Sequence, residues 1–162
     1  MFYKQEIYDY LKENGIWHEI TEHAAVFNME ELKLVELPHR DCDAKNLFVR
    51  DDKRRNYYLI TVKGDKRVDL KEFRKAHGTR PLTFVNSEEL ADILGLIPGA
   101  VSPFGLLNDA EKKVAFFIDS AFKDTELIGV HPNDNTATVW MKAKDLIRII
   151  QEHGNEVNEV TL

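Results

Sequence analysis

The chain has 162 residues, 43% of them hydrophobic and 31% charged, the balance of an ordinary soluble globular protein expected to form a single domain over residues 1–162. No apolar run reaches membrane-span length and no apolar region follows Met1–Glu6, so neither a membrane segment nor a secretory leader is expected. The single cysteine, Cys42, excludes an internal disulfide and suits a reducing cytoplasm, where the protein is expected to reside.

The net charge of −6 argues against a polyanionic partner only on average. Residues 45–80 hold 12 Lys/Arg against 5 Asp/Glu, a net of +7, and the remainder holds 10 against 23, a net of −13. A basic zone on an acidic protein can bind a polyanion locally while the rest suppresses non-specific contacts. The same zone also reads as a solvated hairpin and a solvated helix face.

In chain order, Tyr3, Ile7, Tyr10 and Leu11 share one face and predict a helix over 2–14, stopped by Gly15. Alternation over 16–20 predicts a short strand. Asn28 followed by Glu31 is a capping pattern, opening a helix to about residue 36, before Pro38. The apolar runs 44–49 and 57–62, joined by Asp51–Asn56, predict an antiparallel hairpin. Asp69 opens a helix ended by Gly78, residues 82–85 form a short strand, and Asn86 opens a helix ended by Gly95. The apolar run 114–118 predicts a central strand covered on both faces. Segments 126–130 and 136–141 form a second hairpin, 144–153 a helix, and 156–162 an edge strand. This irregular mixture with several hairpins predicts an α+β fold with a mixed, largely antiparallel sheet flanked by helices.

Three places can carry chemistry. The loop Gly95–Gly105 is apolar yet rich in glycine and proline, either a buried connection or a cradle of backbone amides. Lys45 heads an apolar strand and either snorkels at the sheet edge or meets an anion in a cleft, with Asn46 beside it as donor and acceptor. His131, before Pro132, is either a turn histidine or a pocket residue able to carry a proton. No metal is expected: His18, His23, His39, Asp41 and Asp43 match no ligand spacing. Cys42, flanked by Asp41 and Asp43, is a poor thiolate, and Ser102 lacks a nucleophile elbow. No cofactor motif is present.

Ala44–Val49, Gly99–Pro103 and Gly129–Asn133, in this order, resemble the YbaK/prolyl-tRNA-synthetase-associated editing family across nearly the whole chain. Within it the sequence looks most like the freestanding prolyl-tRNA editing proteins. The resemblance implies a domain acting in trans in protein biosynthesis, without cofactor. It would hydrolyse the ester of mischarged Ala-tRNA(Pro), with the charged acceptor end and prolyl-tRNA synthetase as expected partners. It implies catalytic roles for Lys45, anchoring the terminal nucleotide, and for the N–H groups of Gly99 and Ala100, stabilising the oxyanion. Asn46, Val101, Ser102, Pro103 and His131 would bind substrate, with His131 lining the aminoacyl pocket. No protein group is required as general base, and the substrate's 2′-hydroxyl would hold the water. Alternatives are the same fold acting on Cys-tRNA(Pro) or on Ser- or Thr-charged tRNA, a non-catalytic nucleotide- or tRNA-binding module, and a plain interaction domain.

Overall fold

Local capping signals set most helix ends in the computed structural model, which describes residues 1–162. Helix α1, Lys4–Glu13, buries Ile7 and Leu11 one turn apart. Strand β1, His18–Glu22, starts two residues later than the alternation predicts. Ile16 is used instead to close the helix: it is buried, and its N–H donates to the Leu11 carbonyl at 2.9 Å. Helix α2, Met29–Lys33, is capped by Asn28, whose Oδ1 accepts from the Glu31 N–H at 2.8 Å. It stops before residue 36 because Arg40, in a 3₁₀ turn, donates to the carbonyls of Leu32 and Val35 and replaces the next turn.

Strands β2, Ala44–Asp51, and β3, Tyr57–Lys63, form the expected hairpin. Its turn is built around Asp51, a fully buried carboxylate accepting from Lys53 N, Arg55 N and Asn56 Nδ2 at 2.8–3.0 Å. Helix α3, Leu70–His77, strand β4, Leu82–Phe84, and helix α4, Ser87–Leu94, follow as predicted. Asp69 and Asn86 cap the two helices, and Gly78 and Gly95 end them.

A 3₁₀ helix over Pro103–Asn108 leads to β5, Val114–Asp119, and then to a short helix α5, Phe122–Thr125, which the sequence pattern did not reveal. Strands β6, Leu127–Val130, and β7, Ala137–Lys142, make the second hairpin. Helix α6, Ala143–His153, and edge strand β8, Val157–Val160, complete the chain.

The strands form two sheets, ordered β4-β2-β3-β5-β8 and β1-β7-β6. Only β3–β5 and β5–β8 pair in parallel, so the α+β, largely antiparallel class holds. The main core lies between the sheets under α1, α4 and α6. A second cluster, including Val49, Ile60, Val62, Phe73 and Phe117, fills the α3 side of the larger sheet. Strand β5 is covered on both faces, Phe116 and Ile118 on one and Phe117 on the other, as its unbroken apolar run requires. A third cluster of Val26, Leu32, Leu37, Cys42 and Trp140 anchors α2.

Trp140 is fully buried against Gly129 on the paired strand, where an added Cβ would lie 2.3 Å from Trp140 Cζ3. Gly129→Ala is therefore expected to destabilise the fold by about 1–3 kcal/mol, read as a lowered urea midpoint at unchanged m-value.

Candidate active site

The edge of β2 that faces away from β3 is interrupted. At its start Asp43 forms a parallel bridge to Gly129 of β6. At its far end β4 pairs with Val49–Asp51, and the Val85 N–H donates to the Phe48 carbonyl at 3.1 Å. Between these neighbours, Lys45–Leu47 have no strand on that side. Backbone groups along an antiparallel strand point alternately to its two sides. The Phe48 carbonyl faces the β4 side, so Asn46, two residues earlier, turns its own N–H and C=O into the gap.

Opposite the gap stand the Gly/Pro loop, the start of α2 and His131. Asn28, Met29, Lys45, Asn46, Gly99, Val101 and His131 are among the residues lining one cleft of about 180 Å³. An adjoining groove of about 220 Å³ shares Asn46, Gly99 and Val101 and runs on past Phe84, Val85 and Pro98. A larger cavity, about 360 Å³, lies between the end of β5, α5 and the start of α6. It contains none of the residues singled out from the sequence.

The predicted site residues divide into two groups. Lys45 and Asn46 sit on opposite faces of β2, because successive side chains alternate along a strand, and each shares its face with its cross-strand neighbour. Lys45 lies opposite Val62, on the α3 side, and its Nζ reaches the Lys66 carbonyl at 3.4 Å. Asn46 lies opposite Thr61, whose hydroxyl donates to Asn46 Oδ1 at 2.6 Å. That bond orients the side-chain amide and leaves its N–H₂ as donors. Gly99 has φ of +90°, and a Cβ there would come within 3.2 Å of the Phe27 Cα. The N–H groups of Gly99 and Val101 have no acceptor within the chain.

Ala100, Ser102 and Pro103 make their contacts within the loop itself. The Ala100 N–H donates to the Ile97 carbonyl at 3.1 Å and closes the turn, and the residue is buried. Ser102 is fully buried, and its Oγ accepts from the Phe104 N–H at 3.2 Å. It caps the 3₁₀ helix that Pro103 begins, and neither residue lines the cleft. The unpaired amides of the loop's cleft-lining residues are those of Gly99 and Val101.

His131 Nδ1 lies 2.8 Å from the Ala137 carbonyl. A carbonyl only accepts, so Nδ1 carries the proton and Nε2 holds the lone pair of the neutral ring. Burial keeps its pKa below the ordinary value, and the neighbouring His23 ring, 6.0 Å away, acts in the same direction. The cleft therefore pairs backbone donors with one neutral imidazole acceptor. Beneath the start of β2, burial pushes the Asp43 carboxyl up to about 6, against the pull of Arg40 at 3.9 Å. Its Oδ1 has no hydrogen-bond partner. Burial likewise raises the Cys42 thiol, which disfavours its thiolate.

The basic zone is less free than its composition implies. Arg50, Lys66 and Arg80 are held by Glu89, Asp119 and Asp52 at 2.6–3.1 Å. Sequence reasoning missed Val26, Phe27, Asn28, Met29 and Leu32 as cleft residues. The available sequence signal was the Asn28 N-cap preceded by Phe27, which the structure leaves exposed.

The fold is a two-sheet α+β domain with a small cleft at an interrupted strand edge. The aminoacyl-tRNA editing domain model matches residues 23–149, and the chain belongs to that family. It is similar to the prolyl-tRNA editing protein ProX of Acetoanaerobium sticklandii, with 36% identity over 159 residues, covering 98% of this chain and 97% of that protein. It is also similar to prolyl-tRNA synthetase associated domain-containing protein 1 of Mus musculus, with 31% identity over 146 residues, covering 85% and 83% of the two chains. Among solved structures, a candidate trans-editing enzyme for prolyl-tRNA synthetase superposes with a TM-score of 0.69 over 98% of this chain and 96% of that one. At 18% identity this last likeness concerns the fold alone.

Two outcomes follow from the geometry. Gly99→Ala forces a side chain onto Phe27 in a strained backbone conformation. It is expected to displace the start of α2 and abolish ligand binding in the cleft while the far-ultraviolet circular dichroism stays native. The Asp43 pKa, raised in the folded state, makes its carboxylate a cost above about pH 6 that is relieved as pH falls through that value. Asp43→Asn is expected to raise stability at pH 8 by about 1–3 kcal/mol, with the gain gone near pH 4, in urea titrations at the two pH values.

Proposed function

We propose that this protein is a trans-editing aminoacyl-tRNA deacylase that hydrolyses mischarged Ala-tRNA(Pro). The observation that carries the reading is that Gly99 and Val101, whose N–H groups have no acceptor in the chain, line one small cleft together with Asn46 and His131. The names of its relatives, prolyl-tRNA editing and prolyl-tRNA synthetase associated proteins, support tRNA(Pro) as the nucleic acid and prolyl-tRNA synthetase as the source of the error.

The chemistry needs little from the protein. The ester carbonyl oxygen lies against the two free N–H groups, which gain strength as attack by water turns it into an oxyanion. The neutral His131 ring walls the aminoacyl chamber and offers Nε2 as an acceptor. The cleft contains no carboxylate side chain, so the attacking water is held by the substrate's own 2′-hydroxyl. Lys45 makes only a 3.4 Å contact within the chain and serves as the cation for a terminal phosphate.

Alanine is the amino acid that a proline-shaped synthetase pocket rejects poorly, since a methylene or two is worth only about 1–3 kcal/mol. The chamber walls formed by Val26, Met29, Leu32 and Val101 suit a methyl side chain. The buried Cys42 is compatible with work in the cytoplasm.

Labelled Ala-, Cys-, Ser- and Pro-tRNA(Pro) should be compared as substrates. Rapid release of alanine with proline spared is the expected result; preferential release of cysteine or serine would move the substrate, and no release at all would leave a binding module. Lys45→Ala is expected to lower kcat/KM by about 10–100-fold, the worth of one charged hydrogen bond.

A further inference from the structure

The cavity between the end of β5, α5 and the start of α6 has no role in the reaction just described. It shares no lining residue with the His131 cleft and is twice as large, about 360 Å³ against about 180 Å³. Its floor is apolar: Ile118, Phe122 and Ala143 belong to the main core, and Ile147 packs against it. Its rim is charged, and two of the charges are already satisfied. Asp119, fully buried, accepts from Lys66 Nζ at 2.6 Å and from the Ala121 N–H at 3.0 Å. Glu159 is paired with Lys123 at 3.5 Å. Glu126, Lys142 and Lys144 are not. They are rooted side by side, since the Ala143 N–H donates to the Glu126 carbonyl at 2.8 Å and Leu127 pairs with Lys142 across the hairpin. Yet none of the three side chains has a hydrogen-bond or ion-pair partner within the chain. Glu126 is also fixed in place, closing α5 with a φ of 63° and donating its N–H to the Phe122 carbonyl at 2.9 Å, in a conformation that glycine adopts more easily.

Neighbouring opposite charges that do not close on each other, set over an apolar floor, are the complement of a zwitterion with an apolar side chain. We propose that this cavity binds a free α-amino acid with a large apolar side chain, of leucine size or above, at a site separate from the editing cleft. The carboxylate lies between Lys142 and Lys144 at the first turn of α6, where the helix dipole favours negative charge. The other acid of that turn, Asp145, is held by Arg148 at 3.3 Å and does not line the cavity. The ammonium group donates to the Glu126 carboxylate, and the side chain covers Ile118, Phe122 and Ile147. Each methylene taken out of water there is worth about fourfold in affinity, so the floor selects leucine and phenylalanine over alanine. The proposal does not depend on the editing function.

The test is a titration of the ¹⁵N-labelled full chain with L-leucine and L-phenylalanine, and in parallel with L-alanine, N-acetyl-L-leucine and L-leucinamide. Leucine and phenylalanine are expected to shift the amides of Asp119, Phe122, Glu126, Lys144 and Ile147 and to leave those of Gly99, Val101 and His131 unmoved. N-acetyl-L-leucine lacks the ammonium charge and L-leucinamide the carboxylate, and each is expected to bind about tenfold more weakly or worse, as is alanine. Glu126→Gln, which keeps size and backbone preference, is expected to weaken leucine about tenfold while N-acetyl-L-leucine binds the variant no worse than the wild type. Lys144→Gln is expected to weaken leucine and N-acetyl-L-leucine alike. Circular dichroism checks that both variants are folded, as exposed positions predict. Equal binding of leucine and N-acetyl-L-leucine would leave an apolar hollow and overturn the amino-acid site. Shifts confined to the His131 cleft, or no shift up to roughly 10 mM leucine, would overturn it as well. None of these outcomes bears on whether alanine is released from Ala-tRNA(Pro), so the editing function and this site stand or fall separately.

Discussion

The unpaired stretch of β2 between its two neighbours is the constraint on which the rest of the structure depends. A sheet edge inside a protein is costly when its N–H and C=O groups are left without partners. Here β6 bridges the edge at Asp43 and β4 covers it from Phe48, and the interval holds Asn46 alone with both backbone groups turned outward. The gap exists because β4 is only three residues long and α4 follows at once. A longer β4 would satisfy the edge and close the cleft.

The surrounding elements keep that gap open and shaped. The Gly/Pro loop is held from behind: the Ala100 N–H closes its turn and Ser102 caps the 3₁₀ helix. The Gly99 and Val101 N–H groups are left without an acceptor in the chain, in residues that line the cleft with Asn46. On the other flank α2 is too short to be stable alone. It is held by the Asn28 cap, by Arg40 at its carboxyl end and by the Val26, Leu32 and Trp140 cluster below. Close approach of Gly99 to Phe27 ties the two flanks together. Donors fixed in this way need no reorganisation when charge develops on a substrate, which is the condition under which backbone amides act most strongly.

Much of this was legible in the linear pattern, and the failures have physical causes. Asn28, Asp69 and Asn86 were readable as caps because a cap is satisfied within three residues of chain. The apolar run 114–118 correctly implied a strand covered on both faces. The strand at 16–20 was misplaced because alternation cannot tell that Ile16 is taken by α1. That the Ala100 N–H closes the turn and that Ser102 is buried were not legible, because successive residues in a tight turn face different ways. The basic zone was overestimated, since the partners of Arg50, Lys66 and Arg80 lie 28–53 residues away in sequence.

By itself, then, the sequence determined most of the element types, the mixed α+β class, the family and the three motif segments found at the site. Those properties follow from local capping, period and motif order, each contained within a few residues. Only the tertiary structure decided which side of each segment faces the cleft: that Lys45 and Asn46 lie on opposite faces of β2, that the Ala100 amide is spent, and that Phe27 and Phe84 stand at the rims. Those outcomes depend on which strands pair along the edge of β2 and where they stop. That is a balance among contacts distant in sequence, to which no single segment carries the key.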